Sequence, residues 1–193
     1  EKCGQIVGIY LFSEAQWNLH NESNIKHEFL LNNLASLDKS LSKLNIPLIG
    51  INTDSYNTLP KDLLKFLVEQ KIDNVFWNNE FGINESKRDD AVETNLNENN
   101  IKTSRFNDQV IFEPGYLKTG QGNPFSVFTP FKKRWIENFE MDFLDIDKSK
   151  NAKKSSLIKS DLSKLNFTKT HAAKIDLWPG GEIAAKELSL IHI

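Results

Sequence analysis

From Gln5 to Phe106 the chain alternates short apolar runs with amphipathic helical stripes, and that alternation constrains its fold more than any other feature. Gln5–Phe12 (Gln-Ile-Val-Gly-Ile-Tyr-Leu-Phe) is almost entirely apolar and partly β-branched, as a strand buried on both faces of a parallel sheet must be. Ser13–Asn24 reads as a polar loop carrying Gln16, Trp17 and His20. Within Ile25–Leu44, the residues Leu30, Leu34, Leu37, Leu41 and Leu44 recur at spacings of four and three. They make one apolar face of a long helix, with Lys39 and Lys43 left to water.

Asn45 ends that helix, and Ile46–Ile51 reads as the next strand, with Pro47 tolerated near its start. Pro60 opens a helix over Lys61–Gln70 whose buried face is Leu63, Leu64, Leu67 and Val68. A strand Asn74–Asn78 follows, then a polar helix over Asn84–Asn97 that Asn99 and Asn100 break. Ile101–Phe106 is a weaker strand, suited to a sheet edge. The expected class is α/β, an open parallel sheet with helices on both faces and right-handed crossovers.

Bulk properties narrow the functional classes. A net charge of −2 gives no overall basic footprint for nucleic acid. No apolar run approaches the ~20 residues of a membrane span. The single cysteine, Cys3, cannot form an internal disulfide, and no Cys/His spacing suits a structural zinc site. A reducing, cytoplasmic setting fits, with no signal peptide visible. The start at Glu1, with Met141 the only methionine, reads as a cut end. Leu188–Ile193 (Leu-Ser-Leu-Ile-His-Ile) reads as an adapter-derived tail; the bland alternative is an ordinary apolar terminus.

Asn74–Asp89 is the stretch where chemistry is expected. It reads as strand, glycine-bearing turn and helix start, and in open α/β sheets ligands sit beyond the carboxyl ends of the strands. Asn84 and Glu85 fall at that edge. On spacing alone Asn84 is a plain N-cap and Glu85 a first-turn carboxylate favoured by the helix dipole.

After Asn107 the character changes. Asp108–Val127 is a long loop holding Gly115, Gly120, Gly122, Pro114 and Pro124, of a length that is usually functional. Thr129-Pro130 reads as the N-cap and first position of a helix with Phe131, Trp135 and Phe139 along one side. Lys132, Lys133 and Arg134 form a small basic cluster, read as a solvated face. Residues 140–176 read as a surface-draped linker rich in lysine and serine. Leu177–Glu182 then punctuates the chain before a helix begins at Ile183.

Four blocks, in this order, make the sequence similar to a known family: Gln16-Trp17-Asn18-Leu19-His20; Phe76-Trp77-Asn78 through Asn84-Glu85 to Arg88-Asp89; Thr119-Gly120-Gln121-Gly122-Asn123-Pro124-Phe125-Ser126-Val127-Phe128-Thr129-Pro130-Phe131 with Trp135; and Trp178-Pro179-Gly180-Gly181-Glu182. They resemble the photolyase/cryptochrome family, specifically the Rossmann-like N-terminal antenna domain of bacterial deoxyribodipyrimidine photolyases. The third block is the most specific.

The resemblance implies a division of the chain: residues 1–139 an antenna domain, 140–176 an interdomain linker, 177–187 the start of an FAD-binding helical domain, and 188–193 the tail. It implies a light-driven enzyme that splits cyclobutane pyrimidine dimers in DNA, monomeric when full length, with methenyltetrahydrofolate as antenna chromophore here. FAD, damaged DNA and the catalytic residues would be held by a helical domain downstream, so no catalytic residue is named in this chain, and the fragment alone is expected to be inactive. Asn84, Glu85 and His20 match the family's folate contacts. A carboxylate can accept both N–H donors of a pterin edge. His27 and His171 carry no role, Arg88 and Asp89 read as an ion pair, and Trp77 reads as core.

One departure stands out. The family's first strand, central in the strand order 3-2-1-4-5, has no counterpart before Gln5, which predicts a gap in the ladder between Gln5–Phe12 and Asn74–Asn78. Unsatisfied buried backbone groups there would cost on the order of 1 to 3 kcal/mol each. Two other functions fit the pattern: a cryptochrome-type blue-light signalling flavoprotein, and a stand-alone nucleotide-binding α/β module.

Overall fold

A computed structural model describes residues 4–140, 151–154, 158–165 and 177–191. Its strands are β1 (Gly8–Phe12), β2 (Leu48–Asn52), β3 (Asn74–Asn78) and β4 (Lys102–Phe106), and its helices α1 (Glu14–Leu19), α2 (Asn24–Lys43), α3 (Leu59–Glu69), α4 (Ile83–Glu98), α5 (Phe128–Asn138) and α6 (Glu182–Ile191). The fold is α/β with parallel strands. The chain divides into two compact units, residues 1–70 with 149–193, and residues 71–148.

In the first unit β1 and β2 pair in parallel, Gly8 opposite Leu48 through Phe12 opposite Asn52. Alternation sends Gly8, Tyr10 and Phe12 to one face, where Phe12, Leu34, Leu48 and Leu165 form a buried cluster with Leu30 and Leu41 of α2 against it. Ile49, on the opposite face, is also buried. Both faces are therefore covered, which is why these strands read as continuous apolar runs. Leu30, Leu34 and Leu41 of the predicted stripe hold α2 to the sheet, whereas Leu37 is exposed, and Asn45 ends the helix at φ 62°, the left-handed conformation asparagine tolerates after a helix.

The linker expectation changes at its described residues. Ala152 and Leu165 are buried rather than draped. Gly50 N–H donates to Asp161 O at 2.8 Å and Asp161 N–H to Leu48 O at 2.9 Å, so this segment occupies the outer edge of β2. Gly50 makes the approach possible: a Cβ there would stand 2.5 Å from Leu165 Cγ. The Trp178–Glu182 motif has a similar cause. Gly181, at φ 108°, donates its N–H to Asn33 Oδ1 at 2.9 Å, and a Cβ on Gly180 would meet the Asn32 backbone at 2.9 Å. Only glycines let this turn lie against α2.

In the second unit β3 and β4 pair in parallel, Asn74 opposite Lys102 through Asn78 opposite Phe106. Among the described residues the strands form two separate two-stranded sheets, β1 with β2 and β3 with β4, one in each unit. Val92 and Leu96 of α4 are buried with Ile101. The linker residues 141–150, 155–157 and 166–176, with His171, lie outside the described residues, as do His192 and Ile193.

Of the boundaries that differ from the sequence expectation, three bear on the candidate residues and motifs. The Ser13–Asn24 loop contains α1, because the Ser13 side chain accepts from Gln16 N at 3.3 Å and caps it. Helix α5 starts at Phe128 after Val127, ahead of the expected Thr129 cap. Helix α4 starts at Ile83 with Gly82 as its N-cap, so Asn84 is not the cap.

Candidate functional site

Asn84 and Glu85 occupy the second and third positions of α4, a few residues beyond the carboxyl end of β3. The first helical bond runs from Ser86 N–H to Gly82 O at 2.8 Å, which is why the helix begins earlier than Asn84. Glycine offers no side chain to cap the first turn. The Glu85 side chain curls back from the third position, and its Oε2 lies against Gly82, in the space a Cβ there would fill. Asn84 is exposed and Glu85 half-buried.

The strand ends beneath this turn form a polar ledge. Asn78 Nδ2 donates to Asp108 Oδ2 at 2.6 Å, and Asn79 Nδ2 to Asn107 Oδ1 at 2.9 Å. Arg105 donates through Nε to Asn79 Oδ1 at 2.6 Å and through Nη1 to Asp90 Oδ1 at 2.7 Å. The Asp90 bond, then Glu93 and the nearby Asp89, hold the guanidinium above its ordinary pKa despite some burial. Behind it, Asp89 is only 3% exposed and is met by Arg88 at 2.7 Å. Arg105 also lies 5.9 Å over the Trp77 ring, which is half-buried in the strand as expected of a packing residue.

His20 belongs to the first unit. It is the C-cap of α1 and exposed. Its Nε2 lies 2.9 Å from Gln16 Nε2; an amide nitrogen only donates, so the proton of the neutral ring sits on Nδ1. The structure thus brings Asn84 and Glu85 into one helical turn, while His20 stands in the other compact unit.

The glycine-rich loop, whose length reads as functional, borders a cleft that the sequence did not define. A cleft of about 540 Å³ opens between this loop and α5, with Lys118, Lys133 and Arg134 on its walls and Phe125 and Val127 among its apolar residues. Lys133 and Arg134 were expected to be only a solvated face. Arg134 keeps Glu137 at 3.8 Å. Trp135 is packed, as expected, edge-on to Phe112 at 5.6 Å and stacked on Phe139 at 5.1 Å.

The profile of the DNA photolyase family matches residues 1–152. The chain belongs to the DNA photolyase family. Among its relatives, a deoxyribodipyrimidine photo-lyase of Buchnera aphidicola subsp. Acyrthosiphon pisum is 32% identical over 135 residues, 69% of this chain and 28% of that protein. One from Vibrio cholerae is 28% identical over 135 residues, 70% of this chain and 29% of the relative. This photolyase-family chain therefore spans under a third of the length of those relatives. The crystal structure of a bacterial class III photolyase from Agrobacterium tumefaciens superposes with a TM-score of 0.71 over 95% of this chain and 38% of the other, at 24% identity, a likeness of fold. Among the described residues of the photolyase-family chain, no helix is long and apolar enough to cross a membrane.

Proposed function

We propose that this chain is the antenna-binding part of a light-driven, cytoplasmic DNA repair enzyme that splits cyclobutane pyrimidine dimers. FAD and the damaged DNA would be held by a helical domain of a longer, monomeric protein. The observation that supports it most is the adjacent pair Asn84 and Glu85 on the first turn of α4, past the end of β3, in a chain of this family.

The residues fit a folate. A pterin edge presents neighbouring N–H donors, and a carboxylate at a helix start accepts two of them at once. Glu85 is half-buried, which limits competition from water, and Asn84 adds an exposed amide that both donates and accepts. The Glu85 carboxylate rests on Gly82 at the end of a flexible side chain, so rotating it toward a ligand requires no backbone change. His20 would offer Nδ1–H to a carbonyl, its ring already oriented by Gln16. Bound there, methenyltetrahydrofolate would supply near-ultraviolet absorption, with the excitation going to a reduced flavin held downstream.

In the full-length protein, Glu85→Ala is expected to lower folate occupancy about tenfold, the loss of roughly 1.4 kcal/mol, with flavin content unchanged. Near-ultraviolet absorbance of the purified protein reads both. Equal loss of the two chromophores would remove Glu85 from the site. Light-dependent loss of thymine dimers tests repair, and its absence despite reduced flavin would favour the cryptochrome-type signalling reading.

A further inference from the structure

α1 carries Gln16, Trp17 and His20, yet a helix of six residues has no stability of its own in water. None of its residues is fully buried. What fixes it is the Trp17 ring, half-buried against two others: Phe12 at 5.6 Å, edge-on, and His27 at 4.7 Å, tilted by 57°. His27 in turn meets Phe12 edge-on at 5.6 Å. The three rings close a triangle between the end of β1, α1 and the first turns of α2.

His27 is the unusual member. It is 1% exposed, on the face of α2 that buries Leu34, and it continues the leucine stripe one turn toward the N-terminus, three residues before Leu30. A leucine or phenylalanine would suit a purely structural position there. A histidine supplies the same flat wall to Trp17 together with a titratable ring.

We propose that His27 is the positioning residue of the candidate chromophore site, setting α1 through Trp17 and so placing Gln16 and His20 from below. This rests on the antenna reading of His20. Burial lowers the proton affinity of His27, opposed by the charges of Glu14 on α1 and Glu22 in the α1–α2 turn. Lys26 pairs with Glu22, Glu28 follows on α2, and β1 brings Phe12, with Tyr10 on the same face of the strand. The neutral ring is the form that packs. Protonation therefore needs a more acid pH than an ordinary histidine requires; a charged ring no longer packs in the aromatic triangle, and α1 loosens.

The test uses the full-length protein, methenyltetrahydrofolate as probe, and Trp17 emission isolated by difference from Trp17→Phe. His27→Ala is expected to weaken folate binding about tenfold and red-shift Trp17, with flavin content unchanged. His27→Phe should restore affinity to within about twofold and abolish the change in Trp17 emission between neutral and acid pH. His20→Ala added to His27→Ala should cost little more, because both act through α1. Additive losses, or a His27→Ala protein with unchanged Trp17 emission, overturn the proposal. If the wild type binds no folate, the antenna reading fails by itself. Trp17 emission then decides whether His27 sets α1, and an unshifted His27→Ala spectrum rejects it.

Discussion

The two parallel strand pairs have the same length and pairing, yet different forces hold them. β1 and β2 are covered on both sides, with Phe12 1%, Leu48 3% and Ile49 7% exposed. β3 and β4 are covered on one. Their Val75, Trp77, Thr103 and Arg105 side faces α4, while Phe76 and Phe106 stack on each other at 6.4 Å on the other side and remain 66% and 53% exposed. With Phe76 and Phe106 exposed on its other face, the second pair relies more on charge. Arg105 reaches Asp90 and Glu93, and Arg88 meets Asp89. Apolar volume governs the first region, whereas ion pairing and its desolvation weigh more in the second.

The sharpest test of that contrast removes one residue type from both places. Phe12→Ala should cost about 3 to 5 kcal/mol, the transfer of a buried ring plus the cavity it leaves. Phe76→Ala should stay within about 0.5 kcal/mol, since its ring is already in water. Urea melts followed at Trp17 for the first region and Trp77 for the second read each change. A comparable loss at Phe76 would mean that the exposed face is covered in the full-length protein.

A second test addresses the ion network. Arg88→Met leaves the Asp89 carboxylate buried with Arg105 Nη2 at 4.0 Å as its remaining cation. Stranding a buried charge should cost about 3 kcal/mol. The Arg105 pairs to Asp90 and Glu93 reach side chains that are 66% and 38% exposed, so high salt should remove less than about 1 kcal/mol there. Strong salt dependence of the Arg88→Met loss, read from the same melts, would place Asp89 in contact with solvent.

These contrasts also explain what the sequence made legible. Strands buried on two faces announce themselves as apolar runs, and the α2 stripe follows from its one buried face. The helix ends at Asn45 and Asn100 were readable because asparagine tolerates φ near 60°. α1 was missed, although Ser13-x-x-Gln16 is a capping-box pattern, because six residues carry too little periodicity to outweigh polar composition. His27 was passed over as a lone histidine, yet its place three residues before Leu30 put it on the buried face. The adjacency of Asn84 and Glu85 was readable, but the curl of Glu85 over Gly82 was not. It depends on which residue begins the helix, and a side-chain-free cap left that ambiguous by a residue or two.

That curl supplies the smallest and most discriminating test. Gly82 has φ −64° and ψ 144°, a conformation alanine adopts without strain, so Gly82→Ala changes little in the backbone. Its methyl group would take the space now held by the Glu85 carboxylate, which must swing outward. Losing that contact should cost less than about 1 kcal/mol of stability. If Glu85 works as a ligand in its swung-out position, folate affinity should rise about two- to threefold, because the displaced carboxylate is already oriented for binding. If Glu85 serves only to close the first turn of α4, affinity should not change at all. A loss as large as that of Glu85→Ala would mean that the carboxylate binds while still folded over Gly82, so that cap and contact are one arrangement. Titration of the folate at constant protein, alongside a thermal melt, separates the three outcomes without substituting either Asn84 or Glu85.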